Sequence, residues 1–161
     1  FDTGDAVLIA SFIGYSVLIG RLIGGYLLDR LWAPGVAFVL LSIPAISCIL
    51  FQQAELSYGT AVLAVAILGF AAGVEYDLMA YLVSRYFGMK NYAAIYGTLY
   101  GFFAMGAGFG PHIFGRSFTQ TGSYDTIMDY AVFACLAGSI PLLFLGKYRD
   151  FKENTSVTDA A

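Results

Sequence analysis

The sequence predicts an all-α membrane protein, and three observations carry that expectation. Hydrophobic residues make up 59% of the chain and charged residues only 12%, against roughly 25% charged in an ordinary soluble domain. Mean hydropathy is +0.75. The apolar residues also fall in long runs with few charges, and about 20 such residues cross a hydrocarbon core of roughly 30 Å as a helix. Strands of a membrane β-barrel would be half as long and would alternate apolar with polar residues, which these runs do not. With 161 residues, a soluble domain would leave much of its surface in water, and this chain lacks the charges to cover one.

Five spans follow in order. The first, about 6–29, ends on the charged pair Asp29-Arg30, and "DRLWAPG" supplies the turn chemistry after it. The second, about 33–53, stops at "QQAELSYG". The third, about 58–84, runs into "RYFGMKN", and the fourth, about 92–117, into "TQTGSYD". The fifth covers about 128–147, and the polar stretch 148–161 reads as a cytoplasmic tail without fixed structure. The chain starts on Phe1 with no signal peptide before the first apolar run, so it reads as a piece of a longer protein.

Basic residues assign the sides, because cytoplasmic loops carry the excess of Lys and Arg. Arg30 lies in the first break, Arg85 and Lys90 in the third, and Lys147, Arg149 and Lys152 follow the last span. The second break has no base and the fourth only Arg116. The first and third breaks and the C-terminus are therefore expected in the cytoplasm. Glycines four apart, Gly20/Gly24, Gly97/Gly101 and Gly106/Gly110, are the spacing that lets membrane helices approach closely.

The candidate site rests on charges placed deep in these spans. Arg21 lies nine residues before Arg30, which is about 13 Å into the membrane at 1.5 Å per residue. An unpaired arginine at that depth costs from about 2.5 to above 10 kcal/mol. Glu75 and Asp77 precede Arg85 by ten and eight residues, about 15 and 12 Å, and so match Arg21 in depth. They stand about 200° apart on a helix, so at most one faces Arg21 directly. Two carboxylates and a guanidinium at one depth suggest a shared polar cavity for coupling or charge pairing, or else a static buried ion pair that fixes helix packing. Tyr96 and Tyr100 lie one turn apart and either line that cavity or pack as aromatics. His112, after Pro111, has a satisfied local role or a proton-relay one.

Several classes are excluded. A net charge of −3 implies no nucleic-acid partner. There is no G-x-S-x-G, H-E-x-x-H, phosphate-loop or C-x-x-C pattern, so neither an enzyme nor a metal site nor any cofactor is expected. Cys48 and Cys135 sit inside apolar runs and read as inert buried thiols.

Gly25-x-x-x-Asp29-Arg30 resembles the loop signature of the major facilitator superfamily, with Trp32 at its later glycine position. The segment "SRYFGMKNYAAIYGTLYGFFAMGAGFGPHIFGRSFTQTGSY", residues 84–124, is similar to the tenth-to-twelfth helix region of bacterial carboxylate carriers related to monocarboxylate transporters and the oxalate–formate antiporter. The resemblance implies that the five spans form most of the C-terminal six-helix bundle of a twelve-helix carrier in a bacterial inner membrane. The N-terminal half of the same carrier would then be a missing partner. It further implies that Arg21, four residues before Gly25, binds a substrate carboxylate; Tyr100, from the tyrosine pair one turn apart, is placed beside it as a cavity-lining residue. Gly25, Asp29 and Arg30 would form a cytoplasmic gate. The aspartate that many monocarboxylate transporters have four residues before the arginine is Val17 here, so their proton coupling does not carry over. The antiporter's eleventh-helix lysine is Phe103, which disfavours a two-carboxylate substrate. The aspartate of the family's "GxxFDxTGSY" is Thr119. Transport of a small organic anion by alternating access is the expectation. A membrane scaffold or sensor that keeps the carrier fold is the alternative.

Overall fold

The computed structural model describes residues 2–53 and 55–148, so the tail expected over 148–161 lies outside the described residues except for Tyr148. Six helices follow one another: α1 (Thr3–Arg30), α2 (Ala33–Ser42), α3 (Pro44–Phe51), α4 (Tyr58–Phe87), α5 (Tyr92–Thr121) and α6 (Asp125–Ser139). A 3₁₀ segment, Ile140–Leu145, extends α6. No strand occurs among the described residues. Four stretches, Gly4–Arg30, Ala33–Phe51, Tyr58–Phe87 and Asp125–Leu145, are long and apolar enough to cross a membrane. The chain is an all-α membrane protein.

The helices differ from the expected spans at points where local chemistry explains the change. The second span is broken at Ile43, because Pro44 has no N–H to donate and its ring crowds the preceding turn. Ser42 at the break turns its hydroxyl back onto the Phe38 carbonyl, at 2.7 Å. The last span tightens into 3₁₀ geometry at Ile140, where Pro141 follows. The expected fourth span forms as α5, 30 residues long, yet its tyrosines, glycines and polar last turn keep it out of the four stretches apolar enough to cross a membrane. Ser57 caps α4 by accepting from the Thr60 amide at 3.2 Å. Gly122 ends α5 in the left-handed conformation, φ +74°, which costs glycine nothing sterically.

Two helices form the centre. α1 and α4 run in the same direction and meet along a seam of small residues. A Cβ on Gly20 would strike the Phe70 backbone, and one on Gly73 would strike the Val17 carbonyl. Gly24 faces the Val74 side chain, and Gly69 lies against Ile13 and Ser16. The Gly20/Gly24 spacing therefore serves close approach, and α4 contributes a matching pair, Gly69/Gly73, within "GFAAG". Around Gly97, Gly101, Gly106 and Gly110 there is open space instead.

Apolar packing extends from this seam. Leu28, Ala33, Val36, Ala37, Leu40, Val74 and Leu78 form one buried cluster joining α1, α2 and α4. Ile9, Ala61 and Val65 form a second at the other end. By contrast, α5 has no buried residue. Leu22 and Phe144 are 77% and 83% exposed, an arrangement tolerable only where lipid replaces water.

The end of the bundle that holds Arg30 and Arg85 is tied by Tyr148. Its hydroxyl accepts from the Ala33 amide at the start of α2, at 2.8 Å. Its ring lies 5.5 Å from that of Tyr86, whose own hydroxyl donates to the Gly146 carbonyl at 2.8 Å. Arg85 sits over both Tyr81 and Tyr148, 5.2 and 5.9 Å from the ring centroids.

Candidate functional site

The α1–α4 seam determines what stands opposite Arg21. Gly69 meets Ile13, and four residues later Gly73 meets Val17. One further turn on both parallel helices brings Asp77 to the level of Arg21. Asp77 thus continues the face of α4 that meets α1, half-buried. Glu75 points to the other side of α4, into an apolar cavity of about 370 Å³ lined by Leu41, Leu78, Met79, Phe103 and Leu142 among others. The two carboxylates serve different surroundings.

Neither forms an ion pair with Arg21 among the described residues. The guanidinium instead lies over the ring of Tyr76, 5.9 Å from its centroid. Tyr76 packs edge-on against Phe103 at 5.1 Å and lies 6.3 Å from Tyr100. Tyr92, Tyr96 and Tyr100 stack in turn along α5, at 5.6 and 6.3 Å, and Tyr100 stacks on Phe103 at 6.0 Å. A row of aromatic rings therefore leads along α5 to Tyr76 and ends at Arg21. The guanidinium itself is exposed. Its forked N–H groups suit a planar carboxylate, which they can hold by two parallel hydrogen bonds.

The structure thus brings Arg21 and Tyr100 to the same place through Tyr76, puts Asp77 at their level, and sets Glu75 apart. Tyr76 is absent from the expected site. Its position between Glu75 and Asp77 gives it their depth, but among 12 tyrosines that alone does not single it out. The gate residues show a local arrangement. Gly25 has open space around it, Asp29 is exposed, and Arg30 lies over Tyr26 of its own helix at 5.1 Å. Cross-helix ties at that end come from Tyr86 and Tyr148 instead.

Tyr76→Leu is expected to weaken anion binding, because a cation over an aromatic face is held by about 0.5–2 kcal/mol, which corresponds to roughly 2- to 30-fold in affinity. Tyr76→Phe keeps the ring and should bind nearly as the parent does. Titration of both variants with a small monocarboxylate checks this, and equal loss in the two would assign the effect to the hydroxyl.

The fold and this arrangement define a polytopic helical membrane protein with an arginine held deep in one span. Its sequence is similar to monocarboxylate transporter 9 of Gallus gallus, 31% identical over 139 residues, which cover 84% of this chain and 27% of that protein. Monocarboxylate transporter 9 of Pongo abelii is 31% identical over 137 residues, 83% of this chain and 26% of that protein, and the Mus musculus protein is 30% identical over the same length. The chain spans about a quarter of the length of these relatives. No family model and no solved structure matches. The relatives are transporters, not enzymes, and they support a carrier of the major facilitator type. They favour the monocarboxylate transporter side of the expected resemblance and give no support to the oxalate–formate side or to a bacterial source.

Proposed function

We propose that the chain forms one wall of a secondary carrier that moves a small monocarboxylate across the membrane by alternating access. The observation that carries this reading is Arg21: a guanidinium about 13 Å inside the span, paired with no carboxylate among the described residues and steadied by an aromatic ring. In carriers built from repeats, substrate sites lie near the midplane between two bundles that rock against each other. In this reading Arg21 holds the substrate carboxylate, Tyr76 and Tyr100 bound the pocket beside it, and Phe103 keeps a second carboxylate from being satisfied. Asp77, at the level of Arg21 but not paired with it, carries a coupled proton. Gly25, Asp29 and Arg30 act on the equilibrium between inward and outward states at the cytoplasmic rim. The other bundle and the sixth helix of this one fall within the remaining three quarters of the relatives' length.

Uptake into proteoliposomes by a carrier containing this chain tests the reading. Radiolabelled lactate should accumulate, excess acetate or pyruvate should compete, and oxalate should not. Binding of these anions without any flux would indicate a sensor or scaffold.

The topology belongs to the same proposal. All five spans cross the membrane, α5 included, and the C-terminus is cytoplasmic, as the alternation of Lys and Arg between breaks implies. With Cys48 and Cys135 replaced, Ser57→Cys should react with an impermeant thiol reagent from outside and Thr155→Cys from inside. Labelling of both from one face would contradict the span count.

A further inference from the structure

The two thiols deserve a different reading from the one their apolar sequence neighbours imply. α3 packs against both α4 and α6, and the contacts along the seam show that α6 runs antiparallel to α2 and α3. Two side-chain contacts fix how α2 and α3 lie along α6. The hydroxyls of Ser42 and Ser139 are 2.8 Å apart. Ten residues further on, Gln52 donates to the Asp129 carboxylate at 2.9 Å, and to the Asp125 carbonyl at 3.3 Å.

Both cysteines lie between these contacts. Cys48 is one helical turn before Gln52, and Cys135 is one turn before Ser139. Interpolating between the two contacts puts position 133 opposite Cys48, so Cys135 is displaced from it by two residues, about 3 Å along the axis. The serine contact shows that side chains of this length reach across the seam, and cysteine has the same length and branching as serine. Cys48 is buried, Cys135 half-buried, and both are free thiols.

We propose that Cys48 and Cys135 form a dithiol modification site that a membrane-permeant low-molecular-weight disulfide oxidises to an intramolecular disulfide, tying α3 to α6. The more accessible Cys135 Sγ attacks the reagent's sulfur–sulfur bond, forming a mixed disulfide and releasing one half of the reagent as a thiol. Cys48 Sγ then attacks the Cys135 sulfur of that mixed disulfide and displaces the second half, also as a thiol. Each cysteine gives up one proton to a departing group, and the reagent takes the two electrons. Bridged cysteines need Cα atoms about 4.4–6.8 Å apart, so a slide of α6 along α3 by about the 3 Å axial offset brings the two sulfurs together. The site does not depend on the carrier reading, since it follows from the seam between the two helices.

Dithiodipyridine provides the test, applied to the protein in lipid vesicles. The expected result is release of about two thiopyridones per chain, matching the two thiols, with a chain mass lower only by the two hydrogens lost. Peptide mapping should join the segment around Cys48 to that around Cys135. Cys48→Ser should release one thiopyridone and retain one thiopyridyl adduct at Cys135, because the resolving thiol is gone. Two stable adducts on the parent protein would show that the thiols cannot meet. Unreactive thiols, or a disulfide-linked dimer, would overturn the proposal equally.

Discussion

Arg21→Gln is expected to abolish saturable uptake while the protein still reaches the membrane in normal yield. Truncating one partner of a desolvated, hydrogen-bonded charge pair costs about 2–5 kcal/mol, which is roughly 30- to 4,000-fold in affinity. The loss should fall on substrate affinity, because the guanidinium supplies the positive charge and the two-pronged contact together. Arg21→Lys should be nearly as poor. An ammonium keeps the charge but, as a compact point charge, cannot reproduce the planar fork or its face-on contact with Tyr76. Binding measured by a non-transport assay, such as ligand-induced thermal stabilisation, separates lost binding from lost turnover. Full stabilisation of Arg21→Gln by lactate would remove Arg21 from the site.

Substitution of Gly73 should have the largest effect on folding. A Cβ there meets the Val17 carbonyl, a backbone atom that cannot swing away, so the whole of α1 must shift. Overpacking of this kind costs typically about 1–3 kcal/mol and sometimes more, and here it also moves Arg21 relative to Asp77 and Tyr76. Gly73→Val should therefore lower both the yield and the thermal midpoint. Gly20→Val should do the same through the Phe70 backbone. Gly97→Ala and Gly101→Ala provide the contrast, since their surroundings within the chain are open. Near-parental stability with Val at position 73 would mean that α1 and α4 pack by another seam.

That contrast also shows how far the sequence could be read. Helix positions were legible because long apolar runs and their polar breaks are local signals, and the helices begin and end within a few residues of the expected bounds. The break at Pro44 was available in principle, but an apolar run of full length masks it. Gly20/Gly24 and Gly97/Gly101 look alike as text, yet only the first pair meets a neighbouring backbone. Which glycines face a partner depends on the rotation of each helix, and that is a tertiary property.

For the candidate site, the sequence speaks to depth and not to direction. Counting from the basic boundary residues places Arg21, Glu75 and Asp77 at one level, and the 200° between the two carboxylates implies that they part company. Which one turns toward α1 depends on the Gly69/Gly73 seam. Tyr76 and Tyr148 escaped for a related reason. Tyrosine occurs 12 times in this chain, so no single tyrosine stands out until the helices have met. Asp29 and Arg30 drew notice through a familiar spacing, whereas the contacts that bind that end together run through Tyr86, Gly146, Tyr148 and the α2 amide.

One experiment separates a binding arginine from a structural one. Arg21→Gln combined with Asp77→Asn removes the guanidinium and the carboxylate at its level together, so neither member of that pair is left without the other. Uptake of radiolabelled lactate by this double variant, measured beside its yield in the membrane, should remain absent while the protein still reaches the membrane at the parental level. Parental uptake by the double variant would assign Arg21 to the scaffold and contradict its role in holding the anion.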